Sequence, residues 1–467
     1  MRDVESRTEE VRRQDGDVTS LKIQRGFVLD RLAEFSPSLG WCFLMVLPVL
    51  FQYPTFHATG RAMQLALVVA IGLSLLVADY LCYRMDVTHG AISGYRAVHV
   101  ERVVIGLCFI VPVAAHLYLM PRIPLLSLFA DNQAGSQPLT QLRDDAAKFL
   151  DVPSIVKYLF NWALFIFAPI FVAVSVYVGR RLQALAGFVL ACTYALATLA
   201  KFPLVLLVLA CLFALCLLPT GWQRRLVRGL IAAALVGFVA TATWLLSGAV
   251  AEFDGSQNRV EPVGLATMHG DDPRRSMSYG DNMRLAPKEP DQTVSDGGFE
   301  RALTYVFYRV WLTPADVSNR WYQYFTYVAA EPLGLQFLQM EPRTAMTRTP
   351  SRMVGVWAYE SRFPDKYAET VNANASFDAD AFAHGGILGV AIATLLLAGA
   401  RIGTAWLMRP HPVSLAAYGV MLCMLSILPS SASIQAIFGA NGLFVVPVMV
   451  ALLFASARSQ APIGASR

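Results

Sequence analysis

Apolar residues along this chain fall into long blocks separated by short polar connections. Ten blocks, at 39–56, 63–82, 103–120, 158–178, 182–200, 202–218, 230–250, 381–400, 413–428 and 434–455, have lengths that suit helices crossing a bilayer. A hydrocarbon core about 30 Å thick needs roughly 20 residues of helix. In the last block Gly439, Asn441 and Gly442 interrupt the apolar run, so its first part reads as re-entrant. The stretch "SLKIQRGFVLDRLAEF" carries an apolar stripe at helical spacing, with Ser20 as N-cap, and reads as an interfacial helix. A second such piece, "PLTQLRDDAAKFL", precedes the fourth block. The expected organisation is a tail at 1–38, seven spans over 39–250, a large polar loop at 251–380, three spans over 381–457 and a tail at 458–467.

Composition supports the same class. The chain is 55% hydrophobic and 15% charged, against about 45–50% and 25% in soluble domains. The fold class is therefore an all-α polytopic membrane protein. A net charge of +5 without a basic run excludes nucleic acid as a partner. The seven cysteines lie in apolar segments at spacings that suit neither disulfides nor a metal, and no metal or other cofactor is expected. No cleavable signal peptide is expected, because the first 38 residues are charged and the first span comes late. With the N-terminus inside, Lys and Arg divide nineteen inside to six in the short outer connections. That bias places both termini in the cytoplasm and residues 251–380 outside.

The loop at 251–380 holds 18 acids, 13 bases and 18 aromatics, more aromatic surface than a spacer requires. Its first part, to about Gly298, is rich in Gly, Asp and Pro and reads as irregular. "GFERALTYVFYRVW" reads as a helix, and "LTPADVSNRWYQYFTYVA" as a second, with Thr313 as N-cap and Pro314 and Asp316 in the first turn. "EPRTAMTRTPSRMVGVW" reads as a loop. The two helices set Arg301, Arg309 and Arg320 among Tyr305, Tyr308, Trp311, Trp321 and Tyr322. Planar guanidinium groups suit a pyrophosphate and aromatic faces suit sugar rings. The same residues are also what docks an external helix onto a bundle.

Ionisable residues within or beside apolar blocks are functional suspects. Asp79 lies near the inner end of its block, within reach of Arg84, and His116 near the outer end of the third; both read as structural. Lys201, one of only six lysines, sits at the outer turn before Pro203. It can snorkel to the interface or meet a lipid phosphate. "ASFDADAFAHGGILGVAIA" enters the eighth block with Asp378, Asp380 and His384 at its lip. Asp380 and His384 are four apart, hence on one helical face. Gly385 and Gly389 form a GxxxG that lets another helix approach. The acids alone could serve the helix dipole, which leaves the histidine unexplained.

About ten spans, one late external loop rich in Arg and aromatics, and this entry motif resemble the Wzy-type oligosaccharide repeat-unit (O-antigen or exopolysaccharide) polymerases and the related O-antigen ligases. As residues the resemblance rests on Arg301–Arg320 and Ala375–Ala391. Within the large loop the Arg-x10-Gly pattern cited for the family is met only by Arg259 and Gly270, in the irregular part. The resemblance implies a GT-C-like membrane glycosyltransferase of the bacterial inner membrane that joins repeat units carried on undecaprenyl pyrophosphate at the periplasmic face. It implies catalysis without metal and association with other assembly proteins, such as a chain-length regulator. In that reading His384 or Asp380 deprotonates the acceptor hydroxyl, Arg309, Arg320, Arg301 and Lys201 hold the pyrophosphate, and Tyr308, Trp311, Trp321 and Asp378 contact sugar. A ligase would use the same groups on a lipid A core acceptor. A transporter of lipid-linked glycan instead calls for broken helices and midplane charges.

Overall fold

The computed structural model describes residues 33–52, 61–85, 95–120, 123, 154–198, 201–218, 311–329, 350–359, 374–408 and 411–459. All regular structure among them is helical. Helix α1 runs from Ser36–Trp41 through a π turn, Cys42–Val46, into Leu47–Gln52. Then come α2 (Arg61–Arg84), α3 (Tyr95–Leu119), α4 (Ser154–Trp162, a π turn at Ala163–Phe167, then Ala168–Tyr177), α5 (Arg181–Ala197) and α6 (Lys201–Leu217). The later part holds α7 (Thr313–Gln323, extended by a π turn at Tyr324–Val328), α8 (Pro350–Tyr359), α9 (Phe377–Leu407), α10 (Pro412–Ile427) and α11 (Val445–Ser459).

Five of these helices are long and apolar enough to cross a membrane: α2, α3, α4, α9 and α10 with its short 3-10 extension. The runs Ser36–Phe51, Arg181–Ala197 and Pro203–Leu217 are apolar but shorter. The expected block at 230–250, the N-terminal interfacial helix, the piece before α4 and the irregular part of the polar loop lie outside the described residues. Exposure settles the solvent. Leu73 and Val77 of α2 are 58% and 59% exposed, and Val100 of α3 is 67% exposed. Apolar rows of this size facing outward on several helices have lipid, not water, as their medium. The protein is a membrane-embedded helical bundle.

Helix α10 is its centre, with every side chain from Pro412 to Ser426 buried. A helix that is apolar all round needs partners on all sides, and α1, α4, α6 and α11 supply them. The α6 contact is backbone-close, because a Cβ on Gly419 would stand 2.6 Å from the Phe213 carbonyl oxygen. On α9 and α10, Thr394, Thr404 and Ser426 each donate a hydroxyl hydrogen to the carbonyl four residues back.

Two expectations change, and the interruption of the tenth block is as expected. The eighth block is longer than its apolar core, running from Phe377 to Leu407, and it is broken at Gly386 (φ 58°, ψ −146°). This backbone region is accessible essentially only to glycine. The break folds the segment 377–385 back on the span, so that a Cβ at Gly389 would lie 2.3 Å from the Ala381 carbonyl oxygen. The small residue at Gly389 therefore admits the helix's own first segment, while Gly385 has open space around its Cβ position. The tenth block is two pieces, the π turn at Ala436–Ala440 and α11, separated at Gly442 (φ 77°). The stretch read as a loop around residue 350 contains the helix α8.

Candidate functional site

Helix α7 lies across one end of the bundle. Trp311, just before it, donates its indole N–H to the Phe43 carbonyl of α1 at 2.7 Å and packs on Phe43 and Phe51. Gln64, in the first turns of α2, donates to the Ala315 carbonyl at 3.1 Å. Thr313 is the first helical residue and Leu312 the cap, one position earlier than expected; Pro314 and Asp316 occupy the first turn as expected.

The seam between α7 and the first segment of α9 is polar. Ser318 Oγ and Ser376 Oγ are 2.6 Å apart. Tyr322 donates its hydroxyl hydrogen to Asp378 Oδ2 at 2.8 Å, and its ring packs on Phe382 at 4.8 Å. Ser318 and Tyr322 are four apart and so share the α7 face that meets α9. Burial, and then the neighbouring Asp378 carboxylate, push the Tyr322 phenol well above its ordinary range. Asp378 is fully buried in this seam. It is more than a solvated charge at a helix start, since it ties α7 to α9.

Asp380 and His384 do share a face, with His384 Nε2 3.9 Å from Asp380 Oδ1 and both side chains about a tenth exposed. At 100° per residue they lie some 200–240° round the segment from Asp378. The pair is thus turned away from the α7 seam. Arg320 behaves alike on α7: it is 5% exposed, its guanidinium is 3.9 Å from Asp316, and this pair stands about 200° from Ser318. Arg320 and the Asp380–His384 pair, all nearly enclosed, thus lie on sides of their helices other than those that carry the Ser318, Tyr322 and Asp378 contacts.

The two tryptophans read as sugar platforms are spent on docking. Trp311 is 4% and Trp321 2% exposed, the latter packed with Phe325 and Val354 in a small core under α8. Both rings are covered in this structure. Arg301, Arg309 and Tyr308 lie outside the described residues, and Lys201 begins α6, with its side chain outside them too. Helix α6 packs on α4, α5 and α10, a set of neighbours different from those of α7.

A second buried polar cluster occupies the other end of α2. Arg401 of α9, 1% exposed, donates from Nε to Asp79 Oδ1 at 3.3 Å and from its terminal nitrogens to the Glu34 carboxylate at 2.7 Å, the Glu34 carbonyl at 3.1 Å and the Tyr418 hydroxyl. Tyr418 donates to Glu34 at 3.0 Å, and the Ser38 N–H to Asp79 Oδ2 at 3.0 Å. Asp79 is structural, as expected, but its partner is Arg401 rather than Arg84. Arg401 belongs to a buried ion cluster. His116 is also a core residue, hydrogen-bonded to Tyr194 and stacked on Phe160 at 4.2 Å.

The sequence reading missed Gln64, Ser318 and Ser376; for Ser318 the signal is its spacing of four from Tyr322 on one helical face. No family model, no curated protein and no solved structure matches this chain. No group of three or more His, Cys, Asp or Glu side chains among the described residues could hold a metal.

Proposed function

We propose that the protein is a membrane glycosyltransferase that extends a glycan carried on undecaprenyl pyrophosphate, acting at the end of the bundle where α7 lies. The observation that carries the reading is the Asp380–His384 pair. It stands on a short helix that the Gly386 break turns out of the line of the membrane span. An imidazole with a carboxyl group beside it can take a proton from a hydroxyl and be steadied as it does so. The acceptor oxygen forms a bond to the anomeric carbon, the bond from that carbon to the pyrophosphate oxygen breaks, and the hydroxyl proton passes to the imidazole. The departing pyrophosphate is an anion that Arg309, Arg301 and Lys201 are suited to stabilise. Arg320, held beside Asp316, is a further candidate for that role.

One observation favours a second reading. Broken helices at Gly386 and at Gly442 are what a transporter of lipid-linked glycan would use. Purified protein in lipid nanodiscs, given a labelled lipid-linked repeat unit, separates the two. New glycosidic bonds support the transferase; movement across a bilayer without new bonds supports the transporter.

A further inference from the structure

Asn319 is 2% exposed, and neither its amide oxygen nor its amide nitrogen has a hydrogen-bond partner among the described residues. Exchanging the two amide positions by a flip changes nothing, since both are bare. A buried donor or acceptor left unsatisfied is costly, and alanine or leucine would fill this helical position without that cost. Two neighbouring hydroxyl groups are already engaged. Ser318, one residue before, is bonded to Ser376 and to the Pro314 carbonyl, and Tyr322, three residues on, is bonded to Asp378. Asn319 lies one turn beyond Ala315, on the stripe whose carbonyl takes the Gln64 amide. On the facing segment of α9, Asp378 Oδ1 is a second buried acceptor without a partner. A neutral carboxamide that both donates and accepts complements vicinal hydroxyls, which also do both, and is a poor match for a phosphate.

We propose that Asn319 is a carbohydrate contact, satisfied by hydroxyl groups of the glycan when the α7–α9 seam opens to receive it. This rests on the reading that the protein handles a lipid-linked glycan, and it names a specificity residue for it. The amide is enclosed in the structure, so recognition is coupled to a local opening of the seam.

The test compares two probes on the full-length protein in nanodiscs: undecaprenyl pyrophosphate alone, and the same lipid bearing the glycan extracted from the source membranes. Wild type is expected to bind the glycosylated lipid more tightly. Asn319→Ala should weaken that binding roughly tenfold, the worth of one to two neutral hydrogen bonds, with the bare lipid unaffected and the unfolding temperature no lower. A variant that keeps the preference, or a wild type that has none, overturns the inference. So does a lowered unfolding temperature in both Asn319→Ala and Asn319→Leu, which would show a structural partner for the amide. A wild type that discriminates between the probes yet forms no new glycosidic bond sinks the transferase reading and leaves the Asn319 contact standing.

Discussion

The Tyr322 hydroxyl meets Asp378 Oδ2 at 2.8 Å, joining a helix of the large polar loop to the first segment of a membrane span 56 positions further along the chain. With the 2.6 Å contact between Ser318 and Ser376 it forms the seam on which the candidate site is built.

Removing the Tyr322 hydroxyl strips a fully buried carboxyl group of a side-chain partner in this seam. Tyr322→Phe should destabilise the protein by about 1–3 kcal/mol. Thermal unfolding in detergent should show it, whereas Tyr324→Phe should be mild, because that side chain is only partly buried.

The same phenol gives a pH dependence with a definite sign. Its folded value is raised above the unfolded one by burial and by Asp378. Its contribution is fully present below the unfolded value of about 10 and is lost as pH rises from there. Wild type should lose stability on alkalinisation beyond about pH 10, with a steeper slope than Tyr322→Phe. Equal slopes would assign the alkaline loss to other groups.

Arg401 compensates two buried carboxyl groups, so its loss leaves Glu34 and Asp79 facing each other without a cation. Arg401→Met should cost about 3–5 kcal/mol and appear as poor recovery of monodisperse protein. Arg401→Lys should rescue little, because one ammonium cannot reproduce the fan of contacts to Asp79, Glu34 and Tyr418. Asp79→Asn should be milder than either.

Gly386 occupies a backbone conformation that a side chain disfavours, and Gly385 does not. Gly386→Ala should cost about 1–3 kcal/mol of strain or straighten α9, carrying Asp380 and His384 away from their place. Gly385→Ala should be tolerated, since nothing lies within 4 Å of its Cβ position. Turnover and thermal unfolding of the two variants, measured side by side, check this.

These features were unequally legible in the chain. The spans were plain because a helix in lipid keeps its outward face apolar, so α2 and α3 read as continuous blocks although Leu73, Val77 and Val100 are exposed. The spacing of Asp380 and His384 was legible because a helix fixes it locally. The break at Gly386 was not, because paired glycines permit close approach and a turn equally well. Asp79 was matched to Arg84 since only chain neighbours can be read directly, while Arg401 lies 322 positions away. Trp311 and Trp321 looked like sugar platforms because composition reports the ring and not whether its face is open.

The central claim is that the Asp380–His384 pair supports glycosyl transfer to a lipid-linked acceptor. Its most direct measurement is single-turnover elongation of an undecaprenyl-pyrophosphate-linked repeat unit by purified protein in nanodiscs, comparing wild type with His384→Ala. The account predicts a ladder of longer lipid-linked products from wild type and a rate lower by roughly 10²–10⁴-fold in the folded variant. Elongation by His384→Ala at the wild-type rate would contradict the assigned role, and wild-type protein that leaves the repeat unit unchanged would contradict the function itself.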